Sequence, residues 1–199
     1  MRFIYSLILS STLLISCFSS DELRTGDTLF NQGDYKGALE AYNTYISMHP
    51  NDMRALYHRG KTYEALEDME MAMADYKMVY KMEPENNKVK LSLANNSYYR
   101  DKDFEKAIYY LNEIITLDNE NVEALILRGK SYQKLGDIQE SLNDYNNAIS
   151  HNPEAGEAYL SRGSLYLIAK QKSKACNDFK LALSLGVESA GEVLQKYCK

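Results

Sequence analysis

The sequence predicts an all-α protein, a stacked array of helical hairpins closed by a C-terminal capping helix, and three observations predict it. Pro50 and Pro84 stand 34 residues apart, and Gly60, Tyr63 and Tyr76 return as Gly129, Tyr132 and Tyr145. The same columns recur upstream as Gly26, Ala38, Tyr42 and Pro50, and downstream as Gly163, Tyr166, Ala175 and Phe179. Within one unit, Leu125, Gly129 and Tyr132 fall at i, i+4, i+7, and Ser141, Tyr145 and Ala148 repeat that spacing, so each set forms one stripe of a helix.

One unit, Asn121 to Pro153, shows the logic. Gly136 stops the first helix, Asp137 caps the second, and Pro153 prevents continuation into the next unit. Small Gly129 and Ser141 let the two backbones approach while Leu125, Tyr132 and Tyr145 fill the space around them. A single hairpin cannot cover its own apolar faces, so neighbours must stack on it.

These columns resemble the tetratricopeptide repeat, whose signposts are an aromatic or Leu, Leu-Gly, Tyr, Ala, Phe or Tyr, Ala and Pro. The resemblance implies a right-handed superhelical solenoid of about five hairpins, at 19–52, 53–86, 88–121, 122–155 and 156–187, followed by a capping helix at 187–199. The third unit departs most, with Asn95 for Gly, Leu111 for the aromatic, Asn119 for Pro and one extra residue placed near Asn87, yet it keeps Tyr98, Phe104, Ala107 and Ile114.

Ahead of the array, residues 1–16 read as a signal peptide: Arg2, then the apolar run FIYSLILSSTLLIS, too short for a membrane span. Leu14-Ile15-Ser16-Cys17 resembles the bacterial lipobox, which implies lipidation at Cys17 and a tether over 17–21; the alternatives are a plain secretory signal and an uncleaved anchor. Acidic Asp21 and Glu22 resemble the signals by which some bacteria send lipoproteins to the cell surface, a resemblance that implies the outer membrane or cell surface over the inner membrane. The expected localisation is therefore the bacterial cell envelope, with the soluble array in the periplasm or outside, and the lipid is the one expected membrane contact. The chain carries a formal charge of −5, which becomes −6 once Arg2 leaves, and its basic residues are dispersed among acidic ones, so nucleic acid is not an expected partner.

Units two, four and five carry Arg59, Arg128 and Arg162 at position 7 and Asp75, Asp144 and Asp178 at position 23; units one and three have Thr25 with Ala41 and Ala94 with Tyr110. The agreement predicts Arg–Asp pairs that join the two helices of one hairpin and fix their register. Cys176 and Cys198, on either side of a reversal near Gly186, come nearly level in an antiparallel hairpin and are expected to form a disulfide, with two buried free thiols as the alternative. Val187, Ala190, Leu194 and Tyr197 are the expected stripe of the cap.

Catalytic look-alikes fail. Gly60-Lys61-Thr62 and Gly129-Lys130-Ser131 end like phosphate loops, but Ala55 and Ala124 replace the first glycine and no strand precedes either. His49, His58 and His151 lack metal-ligand spacing. No catalytic residue, metal, cofactor or small-molecule substrate is expected, and the protein is read as a non-enzymatic scaffold or adaptor, the alternative being a regulatory activator subunit of a cell-wall enzyme.

By the family resemblance, a partner peptide or helix would lie in a concave groove displaying Arg54, Tyr57, His58, Lys61, Asn96, Tyr99, Arg100, Lys130 and Lys134, with Glu64 and Glu123 as acidic exceptions. That basic, tyrosine-bearing face favours an acidic segment or a C-terminal carboxylate as the partner. It does not match the family's carboxylate clamp, because Tyr57, Ser92 and Ile126 stand where the leading lysine would be.

Overall fold

A computed structural model describes residues 22–198, and every regular element among them is helical. The segment expected to be a signal peptide, Cys17 and the expected tether lie outside the described residues. The chain divides into two compact units, Met1–Val89 and Lys90–Lys199.

In the first unit, α1 (22–31) and α2 (Tyr35–Met48) form one hairpin and α3 (Met53–Ala65) and α4 (Met69–Met82) the next. In the second, α5 (Asn87–Asn96, its first turn in the first unit) runs into a π turn at Ser97–Asp101 and is followed by α6 (Phe104–Leu117). Then come α7 (Val122–Leu135), α8 (Ile138–His151), α9 (Gly156–Ile168), α10 (Lys172–Ser184) and the terminal α11 (Ser189–Tyr197). Several helices begin on side-chain caps: Asp52 accepts from Ala55 N at 2.9 Å, Asn121 from Ala124 N at 3.0 Å, and Asp34 and Asp103 cap α2 and α6 in the same way. Between the two helices of each hairpin one residue is left-handed, glycine at Gly33 and Gly136 but Glu67, Lys102 and Lys170 elsewhere.

The glycine column has a sharper role than close backbone approach. A Cβ on Gly26, Gly60, Gly129 or Gly163 would lie 2.6 Å from Cε1 of Tyr42, Tyr76, Tyr145 or Phe179 respectively, so each glycine is the slot into which the second helix's ring fits. Ser141 is seated against the same glycine, its hydroxyl donating to Gly129 O at 2.7 Å.

The third hairpin corrects the expected register. Asn86 caps α5 through Val89 N at 3.2 Å, and it stands 34 residues after Asp52, so the helix begins in step. Left-handed Lys102 stands 35 residues after its counterpart Glu67, so the helix ends one residue late. The extra residue is absorbed by the π turn Ser97–Asp101 and not near Asn87, because a five-residue hydrogen-bonded turn takes up one residue without breaking the helix. Upstream of the turn every column moves by one. Buried Ala94 occupies the glycine slot, opposite the column that holds Leu111 in place of a ring. Leu93, not Ala94, stands in the arginine column, and Lys90 stands in the column of Leu56 and Leu125, only 2% exposed, with Nζ 3.9 Å from Glu113.

In the second unit Leu125, Ala148 and Ala158 form a core joined by Ile115, Val122, Ile126, Ile149 and Ala155, so hairpins three, four and five share one interior. The cap differs from its expected stripe. Ala190 is buried and Val193 and Leu194 are half-buried, whereas Tyr197 is exposed and Val187 belongs to the preceding loop, packed on the start of α9 at Gly156.

Candidate functional site

The first helices of hairpins three, four and five carry the site. Position 2, 5, 9 and 13 residues of α7, namely Glu123, Ile126, Lys130 and Lys134, lie along one stripe, as do Glu157, Leu160, Ser164 and Ile168 of α9. Between α5, α7 and α9 lies a hollow of about 740 Å³, with Val122, Ile126, Leu127, Ala155 and Val187 as its apolar floor and Asn95, Tyr99 and Asn152 on its polar rim. A second hollow of about 500 Å³ is lined by Gln133, Lys134, Leu160, Ser164 and Ile168. Tyr99, Lys130 and Glu157 border both, and the Lys130 ammonium donates to Glu157 at 3.1 Å across the divide. Tyr99 is presented by the π turn, 54% exposed, with its ring edge-on to Tyr98 at 4.7 Å.

Of the residues expected in the groove, Tyr99, Lys130 and Lys134 line these hollows. Asn96 does not: the displaced register puts Asn95 in its place, and Asn96 donates instead to Asp101 at 3.0 Å. Arg100 is exposed on the π turn and lines neither hollow.

Arg54, Tyr57, His58 and Lys61 belong to the first unit and form a separate cluster. Asp27 accepts from the Tyr42 hydroxyl at 2.8 Å, pairs with Arg54, and lies 3.3 Å from His58 Nδ1. Burial, and then the hydrogen bond to Asp27, raise the Tyr42 pKa; burial lowers that of His58 against the pull of Asp27, with Arg54 and Lys88 acting in the same direction as burial. Lys61 pairs with Glu64, which also accepts from Tyr76 at 2.8 Å, and the Tyr57 ring sits 5.8 Å from that of Tyr76. The expected basic face is therefore largely neutralised, since Arg54, Lys61 and Lys130 each have a carboxylate partner; Glu64 is one turn from Lys61 on the same helix, whereas Asp27 and Glu157 come from other helices, which the spacing within one helix does not reveal.

The arginine column holds the hairpins in register. Arg59 is bidentate to Asp75 at 2.8 and 2.7 Å, Arg128 to Asp144 at 2.9 and 2.6 Å, and Arg162 to Asp178 at 2.8 and 2.9 Å. Burial opposes the charge of each guanidinium, but the hydrogen bond to its aspartate outweighs it and raises the pKa. The remaining guanidinium nitrogen donates to an asparagine of the preceding hairpin: Asn43 at 2.9 Å, Asn112 at 2.8 Å and Asn146 at 2.8 Å. The sequence carried this signal, because Asn stands at position 25 of every unit that precedes an arginine unit, while Lys77 precedes the unit that lacks one. Cys176 and Cys198 are joined as a disulfide, Cα–Cα 5.7 Å, which ties α11 to α10.

Stacked hairpins whose first helices expose a lined trough define a helical-repeat scaffold of the kind that holds other proteins. The chain belongs to the tetratricopeptide repeat family, whose model matches residues 23–87 and 126–186. Residues 72–148 also match the model of anaphase-promoting complex, cyclosome, subunit 3. Among solved structures, the crystal structure of MamA protein is 25% identical, covers 87% of this chain and 94% of its own, and superposes with a TM-score of 0.74. PilW, described as a widely conserved type IV pilus biogenesis factor, is 15% identical with a TM-score of 0.74 over 84% of this chain and 77% of its own. YrrB, described as a TPR protein with an unusual peptide-binding site, is 18% identical with a TM-score of 0.72 over 88% of this chain and 90% of its own. The DnaJ homolog subfamily C member 3 homolog of Dictyostelium discoideum is 30% identical over 81 residues, and the match spans 41% of this chain and 16% of that protein. Arrays of this family are in general non-catalytic scaffolds for protein interaction.

Proposed function

We propose that the protein is a lipid-anchored adaptor of the bacterial cell envelope that holds a segment of a partner protein against α5, α7 and α9. The observation that carries the reading is the trough itself, which combines an apolar floor with a rim of Tyr99, Asn95, Lys130 and Glu157. Few polar groups around apolar ground suit a side chain that must be desolvated and then oriented. The Cys176–Cys198 bridge supports an oxidising compartment, where such bonds persist. The lipobox-like Leu14 to Cys17 supports anchorage there.

Two exposed tyrosines give a matched test, since Tyr99 and Tyr109 are each 54% exposed but only Tyr99 borders the trough. With benzoylphenylalanine at each position in turn, irradiation of intact cells should trap a discrete partner from Tyr99 and not from Tyr109. Equal trapping from both would refute the trough. An assembly component among the trapped species supports the adaptor; a cell-wall hydrolase or synthase supports the activator. Cys17→Ser should release the protein from membranes and abolish labelling by a fatty-acid probe, because serine cannot form the thioether; a membrane-bound variant together with an unlabelled wild type would sink the anchor.

A further inference from the structure

We infer that the trough of hairpins three to five takes an extended segment of mixed charge, an apolar anchor with a basic residue on one side and an acidic residue on the other. This rests on the trough reading above and adds the polarity of its occupant.

The polarity comes from which charges remain once the ion pair is made. Lys130 and Glu157 cancel at the middle of the trough. Glu123, on the rim of the larger hollow, has no cationic partner among the described residues, and Lys134, on the rim of the smaller one, has no carboxylate partner among them. Glu123 lies in the first turn of α7 and Lys134 in the last. Each complements its own helix end, but a full side-chain charge outweighs the half charge of a helix terminus, so the ends stay acidic and basic respectively. Both residues are on α7, eleven positions apart, which is about 16 Å of helical rise. An extended strand covers that length in about five residues. The apolar floor of Val122, Ile126, Ala155 and Val187 lies at the acidic end. The fitting occupant therefore sets a leucine- or phenylalanine-sized side chain on this floor, a lysine or arginine toward Glu123, and an aspartate or glutamate about five residues away toward Lys134. A uniformly acidic segment, which a basic face would have preferred, meets repulsion at Glu123.

The test uses the full-length chain and three capped peptides that share a central leucine-phenylalanine. One has two lysines on one flank and two glutamates on the other, made in both directions; the second has glutamates on both flanks; the third has lysines on both. The better mixed peptide should bind at least about threefold more tightly than either uniform one, the worth of one exposed charge pair, with the gap closing in salt. Glu123→Lys should make the all-glutamate peptide the best ligand, and Lys134→Glu should make the all-lysine peptide the best. An unchanged order of preference in both variants overturns the polarity. Ile126→Asn, which removes apolar floor without adding charge, should weaken every peptide alike; if it weakens none, or if no peptide binds the wild type, the trough reading fails as well.

Discussion

Hairpins three and four stand side by side in the chain and solve the same problem with opposite chemistry. Hairpin four locks its helices with a charged clamp, Arg128 on Asp144, ties itself to hairpin three through Asn112, and seats the Tyr145 ring in the slot left by Gly129. Hairpin three puts buried Leu93 and Tyr110 in the clamp columns, and Ala94 and Leu111 in the slot and ring columns. The comparison shows that the repeat constrains sums, not residues: total side-chain volume across the slot, and net charge across the clamp. An alanine methyl is admitted where the opposing column gives up a ring, and an arginine is dispensable where the opposing carboxylate is gone as well.

The largest expected effect comes from half-breaking the clamp. Asp144→Ala leaves a half-buried guanidinium without its carboxylate and should cost about 3 kcal/mol by chemical denaturation. Replacing both partners by the third hairpin's pair, Arg128→Leu with Asp144→Tyr, should recover most of that. A double variant as unstable as the single one would show that the clamp does more than balance charge. Next comes the slot. Gly129→Ala places a methyl carbon 2.6 Å from the Tyr145 ring and should cost about 2 kcal/mol. Adding Tyr145→Leu should restore part of the loss, a coupling that a double-mutant cycle reads directly. The smallest effect separates the hairpins at their turns. Lys102 holds a left-handed conformation, φ 57°, that Gly136 adopts at φ 89° in hairpin four. Lys102→Gly should therefore raise stability by about 0.5–1 kcal/mol, and Gly136→Lys should lower it by about 1 kcal/mol, both measured as shifts in melting.

The fold was legible because its signals are columns, and a column survives the failure of any one member. The glycine, tyrosine and proline spacings gave away the hairpins, and the arginine and aspartate columns could be matched by their joint presence and absence. The site was less legible. Its lining depends on the phase of α5, and a single residue absorbed in a π turn exchanges Asn96 for Asn95 without leaving any unusual residue type behind. Nor does helical spacing disclose that Lys130 on one hairpin meets Glu157 on the next, 27 positions later, so a face counted as basic proves to be paired. The asparagine column was readable but requires comparing each unit with its successor.

Stacked repeats tend to come apart from their ends, where a terminal helix has a neighbour on one side only. In α11 Ala190 is the one fully buried residue among those described, so packing alone holds this helix weakly. The covalent link between Cys176 and Cys198 changes how that end fails: α11 can swing away only if α10 comes with it, and α10 is clamped to α9 through Asp178 and Arg162. Fraying at α11 thus ceases to be a helix-by-helix process: α11, α10 and α9 are tied in series, so this side of the array opens as a block.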